Sequence, residues 1–188
     1  NNGIDLEVFK PIQSDFRKKY GCEGKKIVLG VAMGWGVRKG LDVFVDLASR
    51  LPDDYQIVLV GGNEQTDRQL PCNVISIHRT QNQRELAEIY TAADVFVNPT
   101  REDTYPTVNM ESLACGTPVV SYRTGGSPEE LRCARYLQEK CKELGVNVAL
   151  SEVWAKGGEG GVALAEEVIR LCEQPNEFSF CYDLDLPI

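Results

Sequence analysis

Thr100 to Glu129 reads T-R-E-D-T-Y-P-T-V-N-M-E-S-L-A-C-G-T-P-V-V-S-Y-R-T-G-G-S-P-E, and this stretch decides the fold. The apolar run 95–97 leads into it, and a second apolar run, 119–122, lies within it; both are typical of buried strands. Pro106 suits the first turn of a helix, where its missing N–H would have no partner. Gly116 and Pro118 then end that helix. The stretch therefore predicts strand, polar loop, short helix and strand.

The start of this helix is a candidate ligand site. It opens at the carboxyl end of a strand, so we expect the free N–H groups of Thr107, Val108 and Asn109 to point outward. Unsatisfied donors and the helix dipole attract phosphate at such a terminus. The carboxylates of Asp103 and Glu111 flank it and suit the hydroxyl groups of a sugar or a ribose. Together these features predict a site for a sugar nucleotide.

The rest of the chain alternates short apolar runs with amphipathic segments. This pattern predicts an α/β fold, a doubly wound (Rossmann-like) parallel sheet with helices on both faces. The predicted strands are 27–31, 57–60, 74–77, 95–97 and 119–122, and a short helix is predicted over 14–20. Two longer helices are predicted from apolar faces, which are formed by Leu41, Phe44, Val45, Ala48 and Leu51 and by Leu86, Ile89, Tyr90 and Ala93, with Asn82 as a cap.

Three polar loops that contain glycine or proline follow predicted strands, at 32–40, 99–107 and 123–129. Ligands of such sheets bind beyond the carboxyl ends of the strands. We therefore expect the three loops to meet around one site.

Composition narrows the function further. The chain has 188 residues, 43% of them hydrophobic, and a formal net charge of -8, which argues against a nucleic-acid partner. No apolar run is long enough to span a bilayer, and no signal peptide is recognised. The first residue is not Met, so we interpret the chain as a fragment. Seven scattered cysteines without a C-x-x-C pair indicate free thiols in a reducing cytoplasm.

His78 is the only histidine, so neither a zinc site nor a Ser-His-Asp triad is expected. We predict no metal and no cofactor. His78 itself is expected at a strand end, either as an ordinary strand-end residue or as part of the nucleotide site.

Several motifs occur together in an order that resembles a known family, the carboxyl-terminal half of the family-four glycosyltransferases of GT-B architecture. They are Gly3-Ile4-Asp5, Phe9 to Pro11, Lys39-Gly40, Asp103-x7-Glu111, Ala114 to Val119 and Gly125-Gly126-x-Pro128-Glu129. The resemblance covers about 2–130. It implies a retaining, metal-independent transfer of sugar from a nucleoside diphosphate sugar. This chain would be the donor-binding half, and a missing amino-terminal domain would hold the acceptor, with a peripheral membrane acceptor as one option.

The resemblance assigns roles to residues. Lys39 matches the lysine that binds the donor diphosphate, Glu111 the acid that holds the ribose hydroxyls, and Asp103 the acid that touches the donor sugar; these three are the predicted catalytic residues. The other predicted ligand contacts are Gly34, Arg38, His78, Arg79, Tyr105, Pro106, Thr107 and Val108.

Two positions depart from the family pattern. Many members carry an arginine six residues before the lysine, where this chain has Met33, and Arg38 is a candidate substitute. The first acid is the shorter aspartate, and the neighbouring Glu102 is an alternative for that role.

Beyond about residue 134 the chain resembles a different family, an internal segment of formate–tetrahydrofolate ligase. The matching runs are 144–146, 149–161, 164–166 and 180–186. The resemblance pairs Trp154 with a tryptophan that stacks on the pterin. The ligase's phosphate loop is absent from the sequence, so folate chemistry is not expected.

The chain is therefore interpreted as a chimera, with a donor-binding domain over 1–130 and a ligase-like segment over 131–188. The segment is predicted as helix 134–144, strand 146–150 and helix 162–172, completing the same sheet, with a loop over 157–161. Asp183-Leu-Asp185 resembles a metal-binding D-x-D motif but lies in an apolar strand pattern. Two other readings are a ligase fragment and a non-catalytic scaffold.

Overall fold

The computed structural model describes residues 3–122, 124, 149–155, 160–173 and 177–183. The strands in this part of the chain are β1 (Lys26–Val31), β2 (Tyr55–Val60), β3 (Val74–Ile77), β4 (Val95–Asn98), β5 (Val119–Tyr122), β6 (Ala149–Ala155) and β7 (Glu177–Asp183). The helices are α1 (Phe16–Lys19), α2 (Leu41–Arg50), α3 (Glu64–Asp67), α4 (Gln83–Ala92), α5 (Thr107–Ala114) and α6 (Gly160–Glu173), with one 3-10 turn at Val37–Lys39.

The described strands form one parallel sheet of seven strands in the order β3-β2-β1-β4-β5-β7-β6. The chain runs outward from β1 to β3 and then returns to the other side of β1 with β4. This reversal leaves a crevice between the carboxyl ends of β1 and β4, the usual ligand position in such sheets. The predicted doubly wound parallel sheet is confirmed.

Hydrophobic side chains cover both faces of the sheet. Successive residues of β1 point to opposite faces, so that Val28 lies in one cluster and Ile27 and Leu29 lie in the other. Helices α2 and α6 contribute to the Val28 cluster, and α1, α4 and α5 contribute to the Ile27 cluster. The helices on both faces are therefore also as predicted.

The ligase-like segment takes part in this core. Strand β7 pairs with β5 and separates it from β6. Leu164, Val168 and Leu171 of α6 are buried in the same cluster as Val28. At the end of α6, the Lys26 ammonium donates to the Cys172 carbonyl at 3.0 Å. The segment and the first part of the chain thus share one sheet and one apolar layer.

Strand bounds agree well with the sequence predictions, and helix faces agree less well. Strands β3 and β5 have the predicted bounds, and the Asn82 side chain caps α4 by accepting from the Glu85 N–H at 2.9 Å. On α2, Val43 and Leu47 are buried where Val45 and Ala48 were expected. The reason is that α2 contacts α6 as well as the sheet, which turns its buried face.

Other predicted bounds move by a few residues, and some lie outside the described residues. Helix α1 is shorter than 14–20, and the strand predicted at 146–150 is observed at 149–155, with 146–148 outside the description. Gly160 and Gly161, predicted as loop, begin α6. The predicted helix 134–144 and most of the loop 123–129 also lie outside the described residues. No helix in the described part of the chain is both long enough and apolar enough to cross a membrane.

Candidate functional site

The loops after β1 and β4 meet at the carboxyl edge of the sheet. Gly40 has a left-handed backbone, with φ 78°, and lies directly against Pro99. A Cβ atom on Gly40 would lie 2.5 Å from Pro99 Cγ and 2.6 Å from the Pro99 carbonyl oxygen. Only glycine permits both this conformation and this approach. The predicted convergence of these two loops is therefore seen at Gly40.

Arg101 joins the same two loops through polar contacts. Its backbone N–H donates to the Arg38 carbonyl at 2.9 Å, and its guanidinium donates to the Val37 carbonyl at 2.5 Å. The guanidinium also makes a two-pronged ion pair with Asp42, at 2.8 and 2.7 Å. A planar guanidinium that holds a carboxylate in this way fixes direction as well as distance. Arg101 therefore holds in place both the 3-10 turn that carries Lys39 and the first turn of α2.

Lys39 reaches across the junction to Asp103. The Lys39 Nζ lies 2.5 Å from Asp103 Oδ2, and the two side chains are 21% and 18% exposed. The neighbouring Glu102 is exposed, and among the described residues it forms no ion pair with Lys39. The structure thus brings together two of the three predicted catalytic residues, and it pairs the lysine with the aspartate.

Glu111 lies on α5 and contacts a different set of residues. Its Oε2 accepts from the Tyr90 hydroxyl at 3.1 Å. Burial raises the pKa of the Glu111 carboxyl above its ordinary value, and hydrogen bonds from Tyr90 and Thr107 partly offset the rise. Burial, helped by the nearby Glu111 charge, also raises the pKa of Tyr90 well above its ordinary value, so the phenol remains a donor.

The start of α5 differs from the prediction. The helix begins at Thr107, with Pro106 as the residue before it. The Thr107 N–H donates to the Tyr105 carbonyl at 3.0 Å and the Asn109 N–H to the Pro106 carbonyl at 3.0 Å. Two of the three N–H groups expected to face outward therefore already have acceptors, and the expectation of three free donors is wrong.

The buried face of α5 is polar, which the sequence pattern does not indicate. Asn109 and Ser112 are its buried residues. The Asn98 amide on β4 donates to Asn109 Oδ1 at 2.9 Å, and the Ser112 hydroxyl donates to the Thr117 carbonyl at 3.1 Å. The first bond attaches α5 to the carboxyl end of β4 beside the crevice, and the second joins the last turn of α5 to the turn before β5, because each buried polar group needs a partner.

The remaining predicted ligand contacts are spread along the carboxyl edge. Gly34 is exposed and its N–H donates to the Gly61 carbonyl at 3.1 Å, while Arg38 is exposed on the 3-10 turn. The Tyr105 hydroxyl lies 3.8 Å from Met110 Sδ, and Val108 is half-buried on α5.

His78 and Arg79 lie further out. Both are exposed just after β3, which is two strands away from β1, about 10 Å across the sheet. The His78 Nε2 is 2.7 Å from Asp67 Oδ2. No described contact links this pair to Lys39 or to Glu111, so the structure does not bring His78 to the ion pair.

Sequence reasoning misses two residues that hold predicted site residues in place: Arg101, which follows β4 at the carboxyl edge, and Tyr90, which contacts Glu111 from α4. Asp42 is far from Arg101 in the chain, and Tyr90 is far from Glu111, so no local sequence motif indicates that they form contacts. The described residues contain no group of three metal-ligating side chains.

The model of the family "Glycosyl transferases group 1" matches residues 25–173 of the chain, including the described parts of β6 and α6. The chain belongs to this glycosyltransferase family. The expected resemblance to GT-B glycosyltransferases is thereby confirmed.

Solved structures of such enzymes share the fold. Sucrose-phosphate synthase from Thermosynechococcus elongatus is 26% identical, with a TM-score of 0.64 over 92% of this chain and 42% of that one. HepE from Anabaena, solved in complex with UDP and glucose, is 17% identical, with a TM-score of 0.60 over 94% of this chain and 52% of that one. This glycosyltransferase chain therefore spans about half, or less, of each of these two solved chains.

The second resemblance is confirmed as well. Formate–tetrahydrofolate ligase from Staphylococcus aureus strain JH9 is 51% identical over 53 residues, which are 28% of this chain and 10% of the ligase. A short segment of ligase-like sequence is thus present within a glycosyltransferase chain.

Proposed function

We propose that this chain is the donor-binding half of a retaining, metal-independent glycosyltransferase that uses a nucleoside diphosphate sugar. A separate acceptor-binding half would complete the enzyme, in line with the share of the relatives' length that the chain spans. Alone, the chain is expected to bind nucleotide and to transfer little or no sugar.

The observation that carries the proposal is the Lys39–Asp103 pair beside the crevice between β1 and β4. The Lys39 ammonium has three hydrogens. It donates one of them to Asp103 and can donate the others to phosphate oxygens. Both side chains are largely shielded from water, where a charge acts more strongly on a developing negative charge than it does in bulk solvent. A lysine in this position is suited to stabilise the diphosphate that leaves when the sugar bond breaks.

The proposal needs no metal ion, because Lys39 lies where it can bind the diphosphate. Lys39 would supply the positive charge that a divalent ion supplies in other nucleotide sites. Nucleotide affinity is therefore expected to be equal with and without EDTA. A clear loss of affinity in EDTA would contradict this part of the proposal.

Titration calorimetry with UDP, GDP and ADP tests the proposal directly. One nucleotide should bind, and UDP is the first choice because HepE was solved with it. Lys39→Ala should weaken binding at least about tenfold, since one charge-assisted contact contributes about 1.5–3 kcal/mol. Lys18→Ala is the matched control, because Lys18 is an exposed lysine on α1. No heat with any of the three nucleotides, or equal losses in both variants, would rule out the site.

A second candidate function rests on the ligase-like segment, which is 51% identical to the ligase over its matched length. If the segment retained pterin binding, tetrahydrofolate would quench tryptophan fluorescence, and Trp154→Phe would abolish that quenching. We expect no such quenching, because the segment represents 10% of the ligase and α6 within it packs into the transferase core.

A further inference from the structure

Tyr90, on α4, is held rigidly in the apolar layer beside α5. Its side chain is fully buried, and its ring packs edge-on against Phe96 and Phe9, with centroid separations of 5.5 and 6.3 Å. The Thr117 hydroxyl donates to the Tyr90 carbonyl at 2.6 Å. With ring and backbone both fixed, the phenol oxygen has a fixed position, so it can define the position of whatever it contacts.

The contact it makes is with Glu111 Oε2, at 3.1 Å. A carboxylate has about four acceptor positions on its two oxygens, so this bond leaves acceptor positions free. The hydroxyl of Thr107, one helical turn earlier on α5, gives the carboxylate a second donor. The side chain is therefore restrained from two directions while it keeps the capacity to accept further hydrogen bonds.

A buried tyrosine hydroxyl needs a hydrogen-bond partner, but burying a charged partner costs more desolvation free energy than burying a neutral one. A neutral amide or carbonyl would accept the same bond with less desolvation. Burial disfavours the charge of Glu111, as the direction of its pKa shift indicates. A position that keeps a carboxylate against this cost is more consistent with ligand binding than with packing alone.

We propose that Tyr90 is a positioning residue that orients the Glu111 carboxylate toward the ribose hydroxyls of the bound nucleotide. The inference rests on the proposed function and deepens it, because it names what makes the site select a ribonucleotide. Glu111 touches the ligand in this account, and Tyr90 acts only through Glu111.

The test compares UDP with 2′-deoxy-UDP in calorimetric titrations of the whole chain. The unmodified protein should prefer UDP about tenfold, and Glu111→Gln should lose most of that preference. Tyr90→Phe should reduce the preference about threefold or more by weakening UDP binding alone, with the affinity for 2′-deoxy-UDP unchanged. The double variant should lose no more than Glu111→Gln does, since both changes act on one contact.

Tyr55→Phe is the control, because it also removes one tyrosine hydroxyl, in this case from a half-buried tyrosine at the amino end of β2, away from the carboxyl edge of the sheet. It should leave the preference for UDP intact. Melting curves of all variants report folding separately, and Tyr90→Phe retains the ring and its packing.

Several outcomes overturn the inference. Equal weakening of both nucleotides in Tyr90→Phe would show a merely structural role. Tighter UDP binding in Tyr90→Phe would show that the phenol holds Glu111 away from the ligand. An unmodified protein that binds UDP and 2′-deoxy-UDP equally well would remove the inference and leave the proposed function standing. Absence of binding by every nucleoside diphosphate would remove both.

Discussion

The Glu111 carboxyl lies in a place that does not favour its ionised form. Burial is the main cause of its raised pKa, and the donors Tyr90 and Thr107 offset only part of the effect. The folded protein therefore binds a proton at this position more readily than the unfolded chain does. The carboxyl has a lower pKa in the unfolded chain than in the folded protein. As pH rises from the lower of these two pKa values to the higher one, ionisation of Glu111 lowers the free energy of unfolding.

Glu111→Gln should consequently stabilise the protein near neutral pH while it weakens nucleotide binding. The amide oxygen can still accept from Tyr90, so the main change is removal of a poorly solvated charge. Denaturant unfolding at a series of pH values measures the effect. The advantage of the variant should shrink on acidification, because the carboxyl of the unmodified protein then becomes neutral in both states. A variant that is less stable at neutral pH and binds UDP normally would contradict this account of Glu111.

At the scale of elements, the site depends on two loops that touch at a glycine. Gly40 and Gly24 both have φ 78°, yet a Cβ atom would collide with Pro99 at Gly40 and meet nothing within 4 Å at Gly24. The two glycines therefore separate the cost of the left-handed backbone from the cost of the close loop contact.

Gly24→Ala should cost about 1–2 kcal/mol, the usual cost of a left-handed alanine. Gly40→Ala should cost a further 1–3 kcal/mol or so, because the added methyl group forces the two loops apart. It should also weaken UDP binding, since Lys39 and Asp103 lie on the two loops that it separates. Urea unfolding and calorimetry measure the two effects. Equal unfolding costs and unchanged UDP affinity in both variants would show that the loop contact is dispensable.

Sequence reasoning recovers the elements whose signals are local. Strands β3 and β5 are short apolar runs with clear ends, and Asn82 is a capping residue beside an amphipathic helix. The order of the motifs also places Lys39 and Asp103 on loops of the same edge. These features depend on residues that are close together in the chain.

The features that were not predicted depend on residues that meet only after folding. The buried face of α2 turns because α6 packs beside it, and the polar face of α5 depends on the bond between Asn109 and Asn98. The contact of Gly40 with Pro99 and the anchoring of Glu111 by Tyr90 are of the same kind. Periodicity within one segment contains no information about these partners.

At the scale of the whole molecule, the ligase-like segment is the unusual component. It contributes two strands to the sheet and a helix to the core of a glycosyltransferase fold. Val168 and Leu171 of α6 are fully buried, and Leu171 belongs to the same cluster as Phe44 of α2. The match to the glycosyltransferase family extends through this helix, so it includes part of the segment.

If the segment completes the domain, the whole chain should unfold as a single unit. Leu171→Ala should then destabilise the entire protein by about 2–5 kcal/mol, because it leaves a cavity between α6 and the layer that contains Phe44. Differential scanning calorimetry should show one transition, shifted to lower temperature by Leu171→Ala and to higher temperature by UDP. Glu166→Ala is the matched control, because Glu166 is exposed on the same helix and its loss should change stability by no more than about 0.5 kcal/mol. Two transitions, of which Leu171→Ala shifts one and UDP shifts the other, would show instead that the segment folds as an independent attachment to the transferase.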